Sequence, residues 1–363
     1  MPQYVQALSR EARLLQEAAE ERLPLHSIYF GGGTPSLLPE VLLSQVFMAL
    51  HESFHVLPGA EITIEANPGK LGLSYLQALL DLGVNRISLG IQSAKPEELQ
   101  LLDRTHSYLE GLNSHYLARG AGFRNISLDL IFGLPNQKMS SWQSTLELII
   151  GLKPEHLSLY SLTIEPGTPL YKMIDRGLLD QPDPDDAAEM YEWAMSYLDQ
   201  HGYTHYEISN WARADGAGET FESRHNRQYW LNQPYIGLGA GAHGFISGMR
   251  TENVKSPLDY IRTCMDGKAG RFPRTPATDE VTRIDRYNEM QETMMMGLRL
   301  LQTGVSRQRF NKRFDQSIED VFSDEVNELI QMGLLEWAGE REERLLLTQR
   351  GRMLANQVFM RFV

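Results

Sequence analysis

His26-Ser27-Ile28-Tyr29-Phe30-Gly31-Gly32-Gly33-Thr34-Pro35 is a short apolar run that breaks off in three consecutive glycines. Its aromatic and β-branched content reads as a strand, and the glycines read as a turn in which backbone N–H groups can approach a ligand without side chains in the way. The pattern recurs along the chain. Strand-like runs stand at 61–65 (EITIE), 86–91 (RISLGI), 126–132 (ISLDLIF) and 157–164 (LSLYSLTI). Helical segments near 38–53, 72–82, 95–119 and 141–151 separate them. Strand alternating with helix about every 30 residues predicts βαβ units, a parallel sheet and right-handed crossovers.

The strand ends say more than the strands themselves. The runs end in Gly31-Gly32-Gly33-Thr34-Pro35, Glu65-Ala66-Asn67-Pro68, Gly90-Ile91-Gln92-Ser93, Asp129 to Gly133, and Glu165-Pro166-Gly167-Thr168. In (β/α) barrels the C-terminal rim of the strands carries the active site. Turns alone account for the Gly and Pro. They account less well for Glu65, Gln92 and Asp129, which lie in or just after apolar runs where a polar side chain needs a partner. Five strands do not close an eight-stranded barrel, so the expectation is an incomplete one.

Outward from this core, the first 20 or so residues read as an amphipathic helix with Val5, Leu8, Ala12 and Leu15 on one face. After 175 the pattern changes. Gln181-Pro182-Asp183-Pro184 is a helix-start signal, followed by a helix over 186–200 with Met190, Trp193, Ala194 and Leu198 on one side. A strand at 205–209, a polar loop at 212–222, the segment Arg224-His225-Asn226-Arg227-Gln228-Tyr229-Trp230 and a glycine-rich run at 237–244 come next. From about 275 a helix bearing Met290, Met294, Met295, Leu298 and Leu301 leads into two helices, a short hairpin and a final helix, a winged-helix-like order. The methionines read as core. The predicted domains are 1–175, 176–275 and 276–363.

Composition narrows the function classes. The 363 residues carry a formal net charge of −13, which argues against a broad phosphate-binding footprint and so against nucleic acid. The one cysteine, Cys264, can make neither an internal disulfide nor a cysteine-built metal centre by itself, and reads as a small semi-buried residue. No stretch reaches the roughly 20 apolar residues of a membrane span, and Met1-Pro2-Gln3-Tyr4 opens no signal peptide, so a cytoplasmic protein is expected.

The glycine turn alone is a weak signal, being neither a dinucleotide fingerprint nor a Walker loop. Taken in order on successive βα units, GGGTPS (31–36), EANP (65–68), RISLGIQS (86–93), LDRTH (102–106) and DLIFGLP (129–135) resemble the radical S-adenosylmethionine (SAM) core of the oxygen-independent coproporphyrinogen III dehydrogenase family. The resemblance covers essentially the whole chain. It implies an incomplete parallel (β/α) barrel of the radical SAM type with SAM as cofactor. The SAM contacts would be Gly32, Gly33, Thr34, Glu65, Gln92, Arg104 and Asp129, with Ser161 and His243 also at aligned positions. The residue types suit the ligand. The glycine backbone and Glu65 would hold an ammonium, the fork of Arg104 a carboxylate, and Gln92 and Asp129 ribose hydroxyls. On the residues alone, Arg104 reads instead as an exposed ion pair with Glu97 or Glu98, which contributes little.

HNRQYW at 225–230 fits the H-N-x-x-Y-W pattern of the heme chaperone branch of that family. The branch resemblance implies heme as ligand and an acceptor protein as partner, with His225 the candidate iron ligand and Tyr229, Trp230 and, upstream, Tyr206 offering aromatic surface. Two alternatives stay open: an oxygen-independent coproporphyrinogen III oxidase, and a non-catalytic scaffold without a cluster. The family's cluster loop, C-x-x-x-C-x-x-C, has no counterpart here. The resemblance therefore implies a [4Fe–4S] cluster in the full-length member but no cluster ligands in this chain, and no radical chemistry from these residues alone. The chain reads as opening on the helix after that loop. Either about 45 residues, one βα unit plus a loop, are lost, or the protein binds heme without a cluster.

Overall fold

The computed structural model describes residues 1–215, 217–341 and 343–363. Gly216, inside the polar loop expected at 212–222, lies outside the described residues. The chain divides into two compact units, one made of 1–28, 38–61 and 223–363, the other of 29–37 and 62–222.

The principal sheet has seven strands: β1 (Pro24–Phe30), β2 (His55–Ala66), β3 (Arg86–Gln92), β4 (Ile126–Phe132), β5 (His156–Ser161), β6 (Thr204–Glu207) and β7 (Asn210–Ala212). Their order is β1-β2-β3-β4-β5-β7-β6. From β2 to β5 the pairings are parallel, while β7 joins β5, and β6 joins β7, antiparallel. This is the incomplete parallel barrel sheet that the resemblance led us to expect. The five expected βα strands are present and the sheet then ends in a reversed hairpin. The run expected as one strand at 205–209 turns back on itself because Glu207 accepts the backbone N–H of Ser209 and the side-chain amide of Asn210.

Strand register separates two chemistries. Glu65 pairs with Ser88, Ser88 with Ser127, and Asp129 with Ser158, so these polar residues share one face. The alternate positions, Ile64, Ile87, Leu89, Leu128, Leu157 and Leu159, are buried. So are Leu76 and Leu79 of the helix Leu73–Asp81 and Leu146 and Ile149 of the helix Met139–Gly151. Each such side chain contributes about 1.5–3 kcal/mol of burial, which fixes the apolar face and leaves the polar one for function.

One expected helix is two. The segment 95–119 forms Pro96–Leu101 and Tyr108–Ala121. Asp103, with φ 53°, leaves the helical region, and Ser107 starts the second helix through a capping box with Glu110. Arg104 thereby sits in the break.

In the other unit, the helix Pro2–Ala18 packs on Glu40–Ser53 and on Pro257–Asp266. A three-stranded sheet combines His243–Ile246, Met249–Asn253 and Thr278–Arg283. The C-terminal part runs through helices Arg286–Gly297, Arg307–Phe314 and Ile318–Gln331, the strands Leu335–Ala338 and Arg344–Leu347, and the helix Gln349–Met353, the winged-helix-like order read from the sequence. Met290 and Met294 are core, as expected. Among the described residues no helix is long and apolar enough to cross a membrane.

Candidate functional site

Within the unit of residues 29–37 and 62–222, the rim begins where β1 enters the glycine turn. A Cβ on Gly32 or Gly33 would meet nothing within 4 Å, so packing does not demand these glycines, and their backbone is open. Gly31 differs. A Cβ there would lie 2.6 Å from Cε1 of Tyr29 and 3.2 Å from Oε1 of Glu65. Glu65 accepts a 2.6 Å hydrogen bond from the Tyr29 hydroxyl and another from the Gly32 N–H. Burial pushes the Glu65 carboxyl up from its ordinary range, the Tyr29 hydrogen bond pulls it back, and the Asp129 charge adds to the rise. Asn67, just past β2, donates to the Thr34 hydroxyl at 3.0 Å and so ties the turn to the neighbouring strand.

Asp129 lies at the middle of the polar face. Its oxygens accept from Ser88 at 2.9 Å, from Ser127 at 3.2 Å and from Ser158. Burial raises its carboxyl despite these bonds and despite the Arg86 charge. Behind it, Ser127 meets Nδ1 of His156 at 2.8 Å, and Nε2 of His156 meets the Tyr206 hydroxyl at 2.9 Å. Burial holds His156 well below the usual imidazole range, so it is neutral. Tyr206 is fully buried and commits its hydroxyl to His156, so its ring presents no open face to a porphyrin.

Two side chains of this rim carry buried polar atoms with no hydrogen-bond partner: Oε1 of Gln92 and Nε of Arg104. Gln92 also holds a left-handed backbone, φ 68°, which a non-glycine residue adopts at a cost of about 1 kcal/mol or more. The ion pair that Arg104 alone suggested does not form with Glu98, which accepts instead from Ser93 at 2.5 Å and Ser141 at 2.6 Å. Other buried side-chain atoms of the described residues also lack a partner, Nε of Arg86 and Oγ1 of Thr63 among them, so these two orphans mark open hydrogen-bonding capacity on the rim. Ser161 ends β5, and a Cβ on Gly133 would lie 3.5 Å from its hydroxyl. The structure thus joins Gly32 to Glu65 by a hydrogen bond, brings the Asp129 charge to bear on Glu65, and ties in Thr34 through Asn67. Sequence reasoning passed over Tyr29, Asn67, His156 and the three serines.

In the other unit, His225, Tyr229 and Trp230 lie on the short helix Arg224–Trp230. Glu61, 3% exposed, receives the Ser223 hydroxyl at 3.2 Å and the backbone N–H groups of Arg224 and His225 at 3.0 Å each. That carboxylate, with the Ser223 cap, pins the start of the helix. Nδ1 of His225 is 3.0 Å from the Ser27 hydroxyl. Tyr229, one turn on, meets the His225 ring edge-on at 4.9 Å and Tyr235 at 4.5 Å. Burial pushes the Tyr229 phenol up to about 12, so it stays neutral. Trp230 faces elsewhere, under the Arg299 guanidinium at 4.2 Å, with its indole nitrogen buried and unpartnered. His243 is exposed at the head of its strand in this same unit, and packing dictates the first glycine of the run before it: a Cβ on Gly237 would sit 2.0 Å from the His243 carbonyl oxygen.

The residues do not fit an iron–sulfur cluster. Cys264 is fully buried against Ala7, Tyr260 and Ala277, and the described residues hold no cluster of His, Cys, Asp or Glu suited to a metal.

The family model for the radical SAM superfamily matches residues 3–149, and that for the HemN C-terminal domain matches 284–354. The chain is 37% identical to the heme chaperone HemW of Bacillus subtilis (strain 168), over 99% of this chain and 91% of that protein. It is 37% identical to the heme chaperone HemW of Lactococcus lactis subsp. lactis (strain IL1403), over 93% of this chain and 85% of that protein. Among solved structures, coproporphyrinogen III oxidase (HemN) from Escherichia coli, a radical SAM enzyme, matches with a TM-score of 0.82 at 23% identity, over 99% of this chain and 82% of that one. At that identity the likeness is one of fold.

Proposed function

The chain belongs to the heme chaperone HemW family, and on that premise we propose that it binds heme through His225 and passes it to an acceptor protein in the cytoplasm, with SAM held on the sheet rim. The observation that carries the heme reading is the buttressed His225. A ligating imidazole normally has its second nitrogen hydrogen-bonded, and the Ser27 hydroxyl 3.0 Å from Nδ1 supports an imidazole oriented for that role. His225 would hold heme through its iron, for which imidazole is a common ligand. Tyr229 fixes the imidazole plane from its edge, and the pinned helix start keeps the ring in place. Titrating the protein with heme is expected to give a shifted Soret band that saturates. A flat titration overturns the reading in favour of a scaffold.

For SAM, the two orphans supply the support. Arg104 would take the carboxylate, Glu65 and the open glycine backbone the ammonium, and Gln92 and Asp129 the ribose hydroxyls. The two glycine runs give a paired test. Gly33→Ala meets no obstacle, so stability should stay within about 0.5 kcal/mol while binding of S-adenosylhomocysteine, read by calorimetry, weakens about tenfold. Gly237→Ala should instead cost roughly 2 kcal/mol of stability, because its methyl would enter a backbone carbonyl. Equal behaviour of the two variants would remove the distinction.

A further inference from the structure

Tyr29 lies two residues before the first glycine of the turn, and no motif gives it a part. Its hydroxyl donates to Oε1 of Glu65 at 2.6 Å, and its ring fills the space that Gly31 leaves by having no Cβ. The Gly32 N–H donates to the same carboxylate. A carboxylate has about four acceptor sites, so these two donors leave about two. We propose that Tyr29 is a positioning residue of the rim: it clamps one side of the Glu65 carboxylate to the glycine turn and commits the remaining acceptor capacity to a cationic group of the ligand. This rests on the rim being the SAM site.

The charged and titratable groups around this carboxylate are few. Tyr29 faces it from β1 and Asp129 from β4, while Arg86 of β3 acts on Tyr29 and Asp129. Burial and Asp129 both favour the protonated Glu65, and the Tyr29 hydrogen bond is the main force opposing them. A protonated carboxyl cannot pair with an ammonium. Tyr29→Phe keeps the ring against Gly31 and removes only the donor.

The test uses the whole protein, with the Glu65 carboxyl carbon followed by NMR across pH and assigned by its loss in Glu65→Gln. In Tyr29→Phe the Glu65 midpoint is expected to rise by about one pH unit. S-adenosylhomocysteine affinity, read by calorimetry, should match that of the unaltered protein within about threefold near pH 8 and fall about tenfold below it near pH 6. An unmoved midpoint overturns the proposal. So does a moved midpoint whose affinity profile superimposes on that of the unaltered protein, since Tyr29 would then tune Glu65 without serving the ligand. If the unaltered protein binds no S-adenosylhomocysteine, the SAM reading of the rim fails, and an unmoved or moved midpoint still decides whether Tyr29 governs Glu65.

Discussion

His225→Ala is expected to abolish the Soret shift on heme addition, and Ser27→Ala to weaken heme binding by about tenfold, in line with the loss of a partner behind a metal ligand. The contrast comes from geometry. The alanine at 225 removes the imidazole proposed to hold iron. The alanine at 27 removes only the group that orients the ring, and the Tyr229 edge contact remains. Misfolding does not account for such a loss, because Glu61 grips this helix through the backbone N–H groups of Arg224 and His225, which the substitution leaves in place. Far-ultraviolet circular dichroism should therefore be unchanged. If His225→Ala titrates like the unaltered protein, iron is held elsewhere and the H-N-x-x-Y-W segment is a packing element.

Glu11→Ala is expected to lower the unfolding free energy by roughly 4 kcal/mol. Glu11 is fully buried in the helix Pro2–Ala18 and accepts four hydrogen bonds. Oε1 receives Asn253 at 2.8 Å and Thr275 at 2.8 Å, and Oε2 receives the Gly239 N–H at 2.9 Å and the Tyr260 hydroxyl at 2.6 Å. Asn253 also reaches the Gly239 carbonyl and Thr275 the Thr278 hydroxyl, so the N–H of Gly239 and the Tyr260 hydroxyl lose most.

The pH dependence has a definite sign. Burial raises the Glu11 carboxyl in the folded protein above its unfolded value, so the associated stabilisation is present below the unfolded value and is lost as pH rises through the folded one. The deficit of the alanine variant should therefore be largest in mild acid and narrow toward alkaline pH. Urea unfolding followed by tryptophan fluorescence at several pH values checks this, and a deficit that widens with pH contradicts it.

Much of the fold was legible because period-two burial and turn chemistry are local. Each strand from β1 to β5 showed as an apolar run closed by Gly, Pro or Asn, and each rim residue came from its place at a strand end. The serines were legible in a weaker sense. Ile87-Ser88-Leu89, Ile126-Ser127-Leu128 and Leu157-Ser158-Leu159 repeat one phrase, with a small hydroxyl between two apolar residues, yet only the register reveals that all three point at Asp129. The break at Asp103 was missed because apolar periodicity ran on through it, although Ser107 and Glu110 carried a capping-box signature inside the expected helix. Glu61 acting on residues 223–225 was beyond local reading, since 162 or more positions separate the partners. The two glycine runs look alike as letters and differ in cause, which only neighbouring atoms disclose.

Strand order in the principal sheet runs in chain order from β1 to β5, so during synthesis each emerging strand finds its neighbour already laid down. The N-terminal helix has the opposite schedule. Every donor to Glu11 lies between 228 and 264 residues further along the chain, so that carboxylate stays in water until the sequence through Gly239, and for its last partner through Thr275, has been made. Its unit is thus a late closure, in which the helix Pro2–Ala18 is made before every group that locks it.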